Sequence, residues 1–195
     1  GEVSRLPADA AAARAVFDRY RSRKAAATLR RQDADLACFA TFLQEASGQA
    51  VGDLSTDPAS WAGLSWGLVE GFVAWQLQQG YAIGSVNVRL STVKTYAGLA
   101  AKAGALSPEA VALAKLVTGY KHQEGRRVDA KRETTRVGAK KAEAVSIAPM
   151  QASEIKASAT GRDRLLLCLL LDHGLRVGEV AILERRHFDR ARGVL

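Results

Sequence analysis

An arginine followed three residues later by a glutamate, Arg176 and Glu179, is the pair of side chains in this sequence best suited to chemistry. Arg176 follows Gly174 after an apolar run, so we expect it at a helix start beside a core. A guanidinium there needs an anionic partner, and its planar fork matches a phosphate. Free N–H groups at a helix N-terminus also favour anions. The alternative is an internal ion pair, because side chains three residues apart share a helix face.

Several other kinds of site are excluded by the sequence. It has no P-loop glycine pattern, no Gly-x-Gly-x-x-Gly after a strand and no His-Glu-x-x-His. The histidines are not at ligand spacing, and Cys38 and Cys168 are far apart among apolar residues, which excludes a metal knuckle or a disulfide framework. We expect no metal, nucleotide or other cofactor, and a cytoplasmic protein. The longest apolar run, Leu165 to Leu171, falls short of the roughly 20 residues of a membrane span.

Positive charge is concentrated in one short stretch. The 195 residues include 28 Lys+Arg and 20 Asp+Glu, a net charge of +8. Residues 121–149 hold 8 basic and 4 acidic side chains, which is half of that excess. Such clustering attracts polyanions, of which nucleic acid is the commonest. The alternative is a solvated linker whose charges only keep the chain in solution.

Apolar residues recur at helical spacing between glycines and prolines, which predicts a mainly α protein. The predicted helices span residues 8–21, 28–45, 61–79, 85–103, 107–120, 150–157, 162–172 and 176–186. Thr28 and Ser107 are predicted N-caps, and Gly80 is predicted to end a helix in the left-handed conformation. The predicted inner face of the fourth helix is Val86, Leu90, Val93, Ala97 and Ala100.

Further expectations concern the later helices and the domain boundaries. Leu113, Leu116, Val117 and Tyr120 are predicted to form one face. The helix around Leu165–Leu171 is apolar all round, so we expect it to be buried all round. The next helix is expected to turn Val177, Val180, Ala181 and Leu183 inward. Residues 1–124 are predicted to be one helical domain, 125–148 a basic linker, and 149–195 the start of a second domain with a strand beginning near its end.

Asp172 to Leu183, which reads D-H-G-L-R-V-G-E-V-A-I-L, resembles the first-arginine motif of the tyrosine recombinases, or phage integrase family. Residues 28–120 resemble that family's core-binding domain, and residues 81–94 resemble its DNA-reading helix with the approach to it. The linker and the new domain at Pro149 follow in the family's order. The resemblance, over roughly residues 20–195, implies a SAM-like four-helix core-binding domain followed by a truncated, mostly helical start of a catalytic domain.

What the resemblance implies is a site-specific recombinase that cuts and rejoins DNA through a 3′-phosphotyrosine, without metal. Arg176 would be the catalytic arginine that binds the scissile phosphate, and Glu179 would steady the active-site helix from behind it. The family's remaining catalytic residues lie downstream of this arginine, and no tyrosine follows Tyr120 here. We therefore expect this chain to bind DNA, with nucleoid association, and not to cleave it. In the complete protein, the resemblance implies self-assembly on DNA.

Double-stranded DNA is thus the expected partner, held by two helix starts and the basic linker. Most such contacts go to phosphates, although arginine can also read guanine and asparagine can read adenine. The candidate contacts are Thr28, Arg30, Arg31, Ser85, Asn87, Arg89, Ser91, Lys94, Arg126, Arg127, Lys131 and Arg132. Two other interpretations remain open, namely a non-catalytic DNA-binding integrase remnant and a helical interaction protein with a basic linker.

Overall fold

The structure is a computed structural model, and it describes residues 12–13, 15–133, 137, 145–189 and 192. The protein is mainly helical, as predicted. The chain divides into two compact units, residues 1–139 and 140–195. The predicted start of the first helix at residue 8 and part of the predicted linker, including Arg136, Lys140 and Lys141, lie outside the described residues.

Unit 1 is built from helices. Its described helices are α1 (Val16–Arg21), α2 (Ala26–Ser47), α3 (Trp66–Gln78), α4 (Ile83–Lys102), α5 (Pro108–Leu116) and α6 (His122–Lys131), with a 3₁₀ turn at Pro58–Trp61. Those of unit 2 are α7 (Pro149–Ser158), α8 (Gly161–Leu171) and α9 (Val177–Ala181), with a 3₁₀ turn at Arg185–His187.

The predicted helix ends are confirmed where a side chain or a glycine sets them. The Ser107 hydroxyl accepts a hydrogen bond from the Ala110 backbone N–H at 3.1 Å, with Pro108 as the first residue of α5. Gly80 follows α3 with φ of 79°. The prediction for Thr28 is wrong, because α2 begins two residues earlier after an extended Ala25 and has no side-chain cap. A helix can start without such a cap when its burial supplies the stability.

Helix α4 is the centre of unit 1. It contacts α1, α2, α3, α5 and the 3₁₀ turn. All five residues of its predicted inner face are at most 3% exposed. Because its neighbours cover only this side, the opposite side of the helix remains open.

Aromatic rings fill the core beneath α4. Phe39 is fully buried, and its ring centre lies 4.9 Å from that of Phe72 and 5.9 Å from that of Trp61. The Trp61 indole N–H donates to the Leu54 carbonyl at 3.0 Å, so its buried polar group is satisfied. The contact between Trp61 and Phe39 holds the 3₁₀ turn against α2.

The residues of α5 that face inward are smaller than predicted. Val111, Ala114 and Val117 are buried, whereas Leu113 and Leu116 are 48% and 73% exposed. The predicted face followed the larger side chains. Ala114 packs inward instead, because a small residue lets α5 approach α3 and α4 closely.

Helix α6 stands where the charge pattern predicted a linker beginning at Gly125. Gly125 is buried, and a Cβ at that position would lie only 2.9 Å from Ile83 Cγ2. The Glu124 carboxylate accepts a hydrogen bond from the Lys121 backbone N–H at 2.9 Å and caps the helix start. The helix lacks an apolar repeat because it docks through a glycine rather than through a stripe of large side chains.

Unit 2 differs from the expectations for residues 162–186. Among the described residues of α8 only Leu169 is buried, and Leu165 is 60% exposed, so the prediction of burial all round is wrong. The short helices α7 and α9 contact α8 and are too small to surround it. The predicted helix 176–186 ends at Ala181, and Val177 is 74% exposed rather than inward.

No helix within the described ranges is long and apolar enough to cross a membrane.

We predict that Phe39→Ala destabilises unit 1 by about 3–5 kcal/mol, the usual cost of removing a fully buried ring. All three tryptophans, Trp61, Trp66 and Trp75, belong to unit 1. Urea unfolding followed by tryptophan fluorescence therefore measures this unit alone. Leu116→Ala, at an exposed apolar position, is the control and should change stability by less than about 0.5 kcal/mol. Equal effects of the two changes would contradict the described core.

Candidate nucleic-acid interface

Two of the arginines predicted to contact DNA surround a buried carboxylate where α2 meets α4. Asp35 is 6% exposed. Its Oδ2 accepts hydrogen bonds from Arg31 Nη1 at 2.5 Å and from Thr92 Oγ1 at 2.7 Å. Arg31 Nη1 also lies 3.2 Å from Thr92 Oγ1. These three side chains tie the two helices together, and Arg31 is engaged within the protein.

Arg89 joins the same group of polar side chains from the preceding turn of α4. Its guanidinium lies over the Tyr81 ring, 4.0 Å from the ring centre, and its Nη1 donates to Gln76 Oε1 at 3.3 Å. Its Nε is 4.0 Å from Asp35 Oδ1. Such contacts strengthen when water is excluded, and the Arg89 side chain is only 19% exposed. We call Arg31, Asp35, Gln76, Tyr81, Arg89 and Thr92 the Asp35 cluster.

Asn87 and Lys94 hold the connection between α5 and α6. The Asn87 side chain donates to the Tyr120 carbonyl at 2.8 Å and accepts from the Tyr120 N–H at 2.9 Å. Lys94 Nζ donates to the carbonyls of Lys115 and Val117, where α5 ends. A cation at a helix C-terminus is stabilised by the unpaired carbonyls there. Partial burial lowers the pKa of Lys94.

The other predicted contacts differ in how far they are exposed. Thr28 lies within the first turn of α2 and is partly buried. Arg132 is also withdrawn, since its Nη1 donates to the Tyr81 carbonyl at 3.0 Å and it pairs with Asp129. The exposed members of the predicted set in unit 1 are Arg30, Ser85, Ser91, Arg126, Arg127 and Lys131, together with Arg31, whose side chain is 46% exposed although it pairs with Asp35. The sequence-predicted residues therefore do not form one continuous surface.

A groove runs along the open side of α4 and was not predicted. Its floor is formed by Ser91, Thr95 and Gly98, and Lys115 lies on one wall while Tyr20 of α1 lies on the other. It encloses about 830 Å³ and adjoins a second hollow of about 620 Å³ against α1. We call the two together the α4 groove.

The α4 groove is lined by cations without an acidic side chain. Among the described residues its basic members are Arg19, Arg23, Lys24, Lys94, Lys102 and Lys115, and no Asp or Glu lines it. All of these except Lys94 are absent from the DNA contacts predicted from the sequence, because residues 1–120 as a whole carry nearly balanced charge. A helical projection of residues 83–102 could have indicated only the open side of α4 with Lys94 and Lys102, since that side holds only small, polar or basic residues and Val88.

In unit 2, Arg176 and Glu179 form the internal ion pair that was one of the two sequence interpretations. Arg176 Nη1 lies 3.2 Å from Glu179 Oε1, and the Arg176 backbone N–H donates to Glu179 Oε2 at 2.7 Å. The Arg176 side chain is 87% exposed rather than set beside a core. Its role toward a phosphate stays a prediction.

The described part of the chain contains no group of three or more His, Cys, Asp or Glu side chains that could hold a metal ion. No protein-family model, no curated protein sequence and no solved structure matches this chain.

We predict that Asp35→Ala destabilises unit 1 by roughly 2–4 kcal/mol, because it leaves Arg89 partly buried without its carboxylate. The expected loss of stability is not larger because Arg31, the other partner of Asp35, is 46% exposed and stays hydrated without the carboxylate. Urea unfolding by tryptophan fluorescence is the measurement. Asp18→Ala, at an exposed carboxylate of α1, is the matched control, with an expected change below about 0.5 kcal/mol. A loss no larger than that of the control would show that the Asp35 cluster does not hold α2 to α4.

Proposed function

We propose that unit 1 binds double-stranded DNA in the α4 groove. The observation that carries the proposal is the set of basic side chains that line this groove with no acidic side chain among them. Clefts lined by charge of one sign focus the electrostatic field and attract ligands of the opposite sign. The DNA backbone, with one charge about every 1.7 Å of helix axis, is the polyanion that suits an extended groove.

The floor of the groove also suits a nucleic acid. Ser91, Thr95 and Gly98 are short, so they leave room above α4 for the sugar–phosphate backbone of one strand. Hydroxyl side chains such as those of Ser91 and Thr95 can bond to the phosphates on either side of a DNA groove. The cations on the two walls would then lie beside the phosphates that border that groove.

We further propose that the chain is part of a site-specific tyrosine recombinase or integrase, with a SAM-like unit 1. This proposal is supported by the resemblance of residues 172–183 and by the order of a helical unit followed by that motif. It carries the expectations of cytoplasmic location, nucleoid association and self-assembly on DNA in the complete protein. The second candidate is a non-catalytic DNA-binding integrase remnant. The pairing of the exposed Arg176 with Glu179 favours it, since a phosphate would have to displace Glu179.

We predict duplex binding that weakens steeply with salt. If on the order of six phosphates are neutralised, log K falls against log salt with a slope of about −5. Fluorescence anisotropy of a labelled duplex between 50 and 300 mM NaCl, roughly the range over which such contacts weaken, measures it. A flat response, or no binding at the lowest salt, would refute the proposal.

The groove itself is tested by a matched pair of added charges. Ser91→Glu places a carboxylate on the groove floor, and we expect about a tenfold loss of affinity, equivalent to ~1.4 kcal/mol, from repulsion of a phosphate. Gln78→Glu adds the same charge at an exposed position of α3 and should change affinity less than about twofold. Equal losses would mean that net charge, not the α4 groove, governs binding.

Arg176→Ala should change duplex affinity less than about twofold, because one exposed arginine already paired with Glu179 contributes little. The same anisotropy titration at low salt measures it. A loss of tenfold or more would instead show that Arg176 contacts the phosphate backbone in this chain.

A further inference from the structure

The segment between α5 and α6 is fixed to α4 by the side chain of Asn87, which bonds to its backbone. The Asn87 amide makes both hydrogen bonds that a backbone partner would make, to the N–H and the carbonyl of Tyr120. A Cβ on Gly119 would collide with the same amide oxygen, so the close approach requires a glycine. This two-point contact sets where the chain enters α6.

The start of α4 provides further anchoring for α6. Gly125 lies against Ile83, the first residue of α4. Arg132, just after α6, donates to the Tyr81 carbonyl, and the Val137 N–H donates to the Gly80 carbonyl at 2.9 Å. The contacts of residues 119–132 thus run along residues 81–87. We call residues 117–132 the docked segment.

The outer side of the docked segment is cationic. Its two carboxylates are engaged locally, because Glu124 accepts from the Lys121 N–H and Asp129 pairs with Arg132. Arg126, Arg127 and Lys131 are exposed, and no ion pair among the described residues neutralises them. Internal pairing of the acids leaves positive charge on the surface.

We propose that α6 is a fixed phosphate-binding surface of unit 1, and that Asn87 is the positioning residue that holds it. The inference rests on the proposed binding of duplex DNA and adds a second surface to the α4 groove. Asn87 lines that groove while its amide bonds to the docked segment. The two surfaces are therefore connected through one side chain. Because α6 is already ordered, the phosphates meet arginines that need no folding step before they bind.

Asn87→Ala tests the positioning role, and Gln78→Ala, which removes an amide from an exposed position of α3, is its matched control. We expect at least tenfold faster hydrogen exchange at the Tyr120 amide, and earlier tryptic cleavage after Arg126 and Lys131. Duplex affinity should fall about five- to tenfold while the salt slope stays unchanged, since the same cations remain but α6 must be ordered on binding. Unchanged exchange, or faster exchange with unchanged affinity, would overturn the proposal. Circular dichroism at the assay temperature verifies that the variant is folded.

A double variant with no folding role tests the phosphate contacts directly. Arg126→Gln with Lys131→Gln should make the salt slope shallower by about 2, because each lost phosphate contact changes it by roughly 0.9. Arg162→Gln with Arg164→Gln removes the same charge from exposed positions of α8 and should leave the slope within about 0.5 of the original. An unchanged slope in the α6 variant would refute phosphate binding by α6. Failure of the unaltered protein to bind any duplex would instead refute the proposed function, and the exchange at Tyr120 would still report on docking.

Discussion

The burial of one side of α4 is the constraint on which the rest of unit 1 depends. Val86, Leu90, Val93, Ala97 and Ala100 are nearly inaccessible, and four helices with a 3₁₀ turn pack around them. A helix that is held on one side by the whole core cannot shift without loss of those contacts. Its open side is therefore a rigid floor, which is what a binding groove needs if its cations are to stay in register with phosphates.

The charges of unit 1 divide into those that hold the fold and those that remain for a ligand. Arg31 and Arg89 lie around Asp35, and replacing such a buried partner is costly because an isolated charge stays behind. Lys94 is engaged by the end of α5. The other cations that line the α4 groove form no ion pair among the described residues, although Lys24 lies over the Tyr20 ring, so they can exchange water for phosphate at little cost to stability.

Local patterns in the sequence predicted the helical class, the inner face of α4 and the start of α5, since caps and apolar repeats act over a few residues. They could not predict which arginines are engaged internally. Asp35 and Arg89 are 54 positions apart, and only the packing of α2 on α4 brings them together. Nor could they predict which side of α5 faces inward. Ala114 rather than Leu113 faces the core, because α5 lies close to its neighbours. The candidate groove combines α1, α4 and α5, so no single stretch of sequence contains it.

The basic stretch after residue 120 shows how the same composition supports two different mechanisms. A flexible linker with Arg126, Arg127 and Lys131 would attract DNA equally well at long range, since that attraction depends on charge alone. It would bind less tightly at contact, because ordering the backbone of one residue costs roughly 1–2 kcal/mol. The contacts of Asn87 and Gly125 order α6 when unit 1 folds, so this entropy is already lost before DNA binds. Charge composition therefore governs the attraction, whereas a glycine and an asparagine with no charge of their own determine whether it becomes an ordered contact.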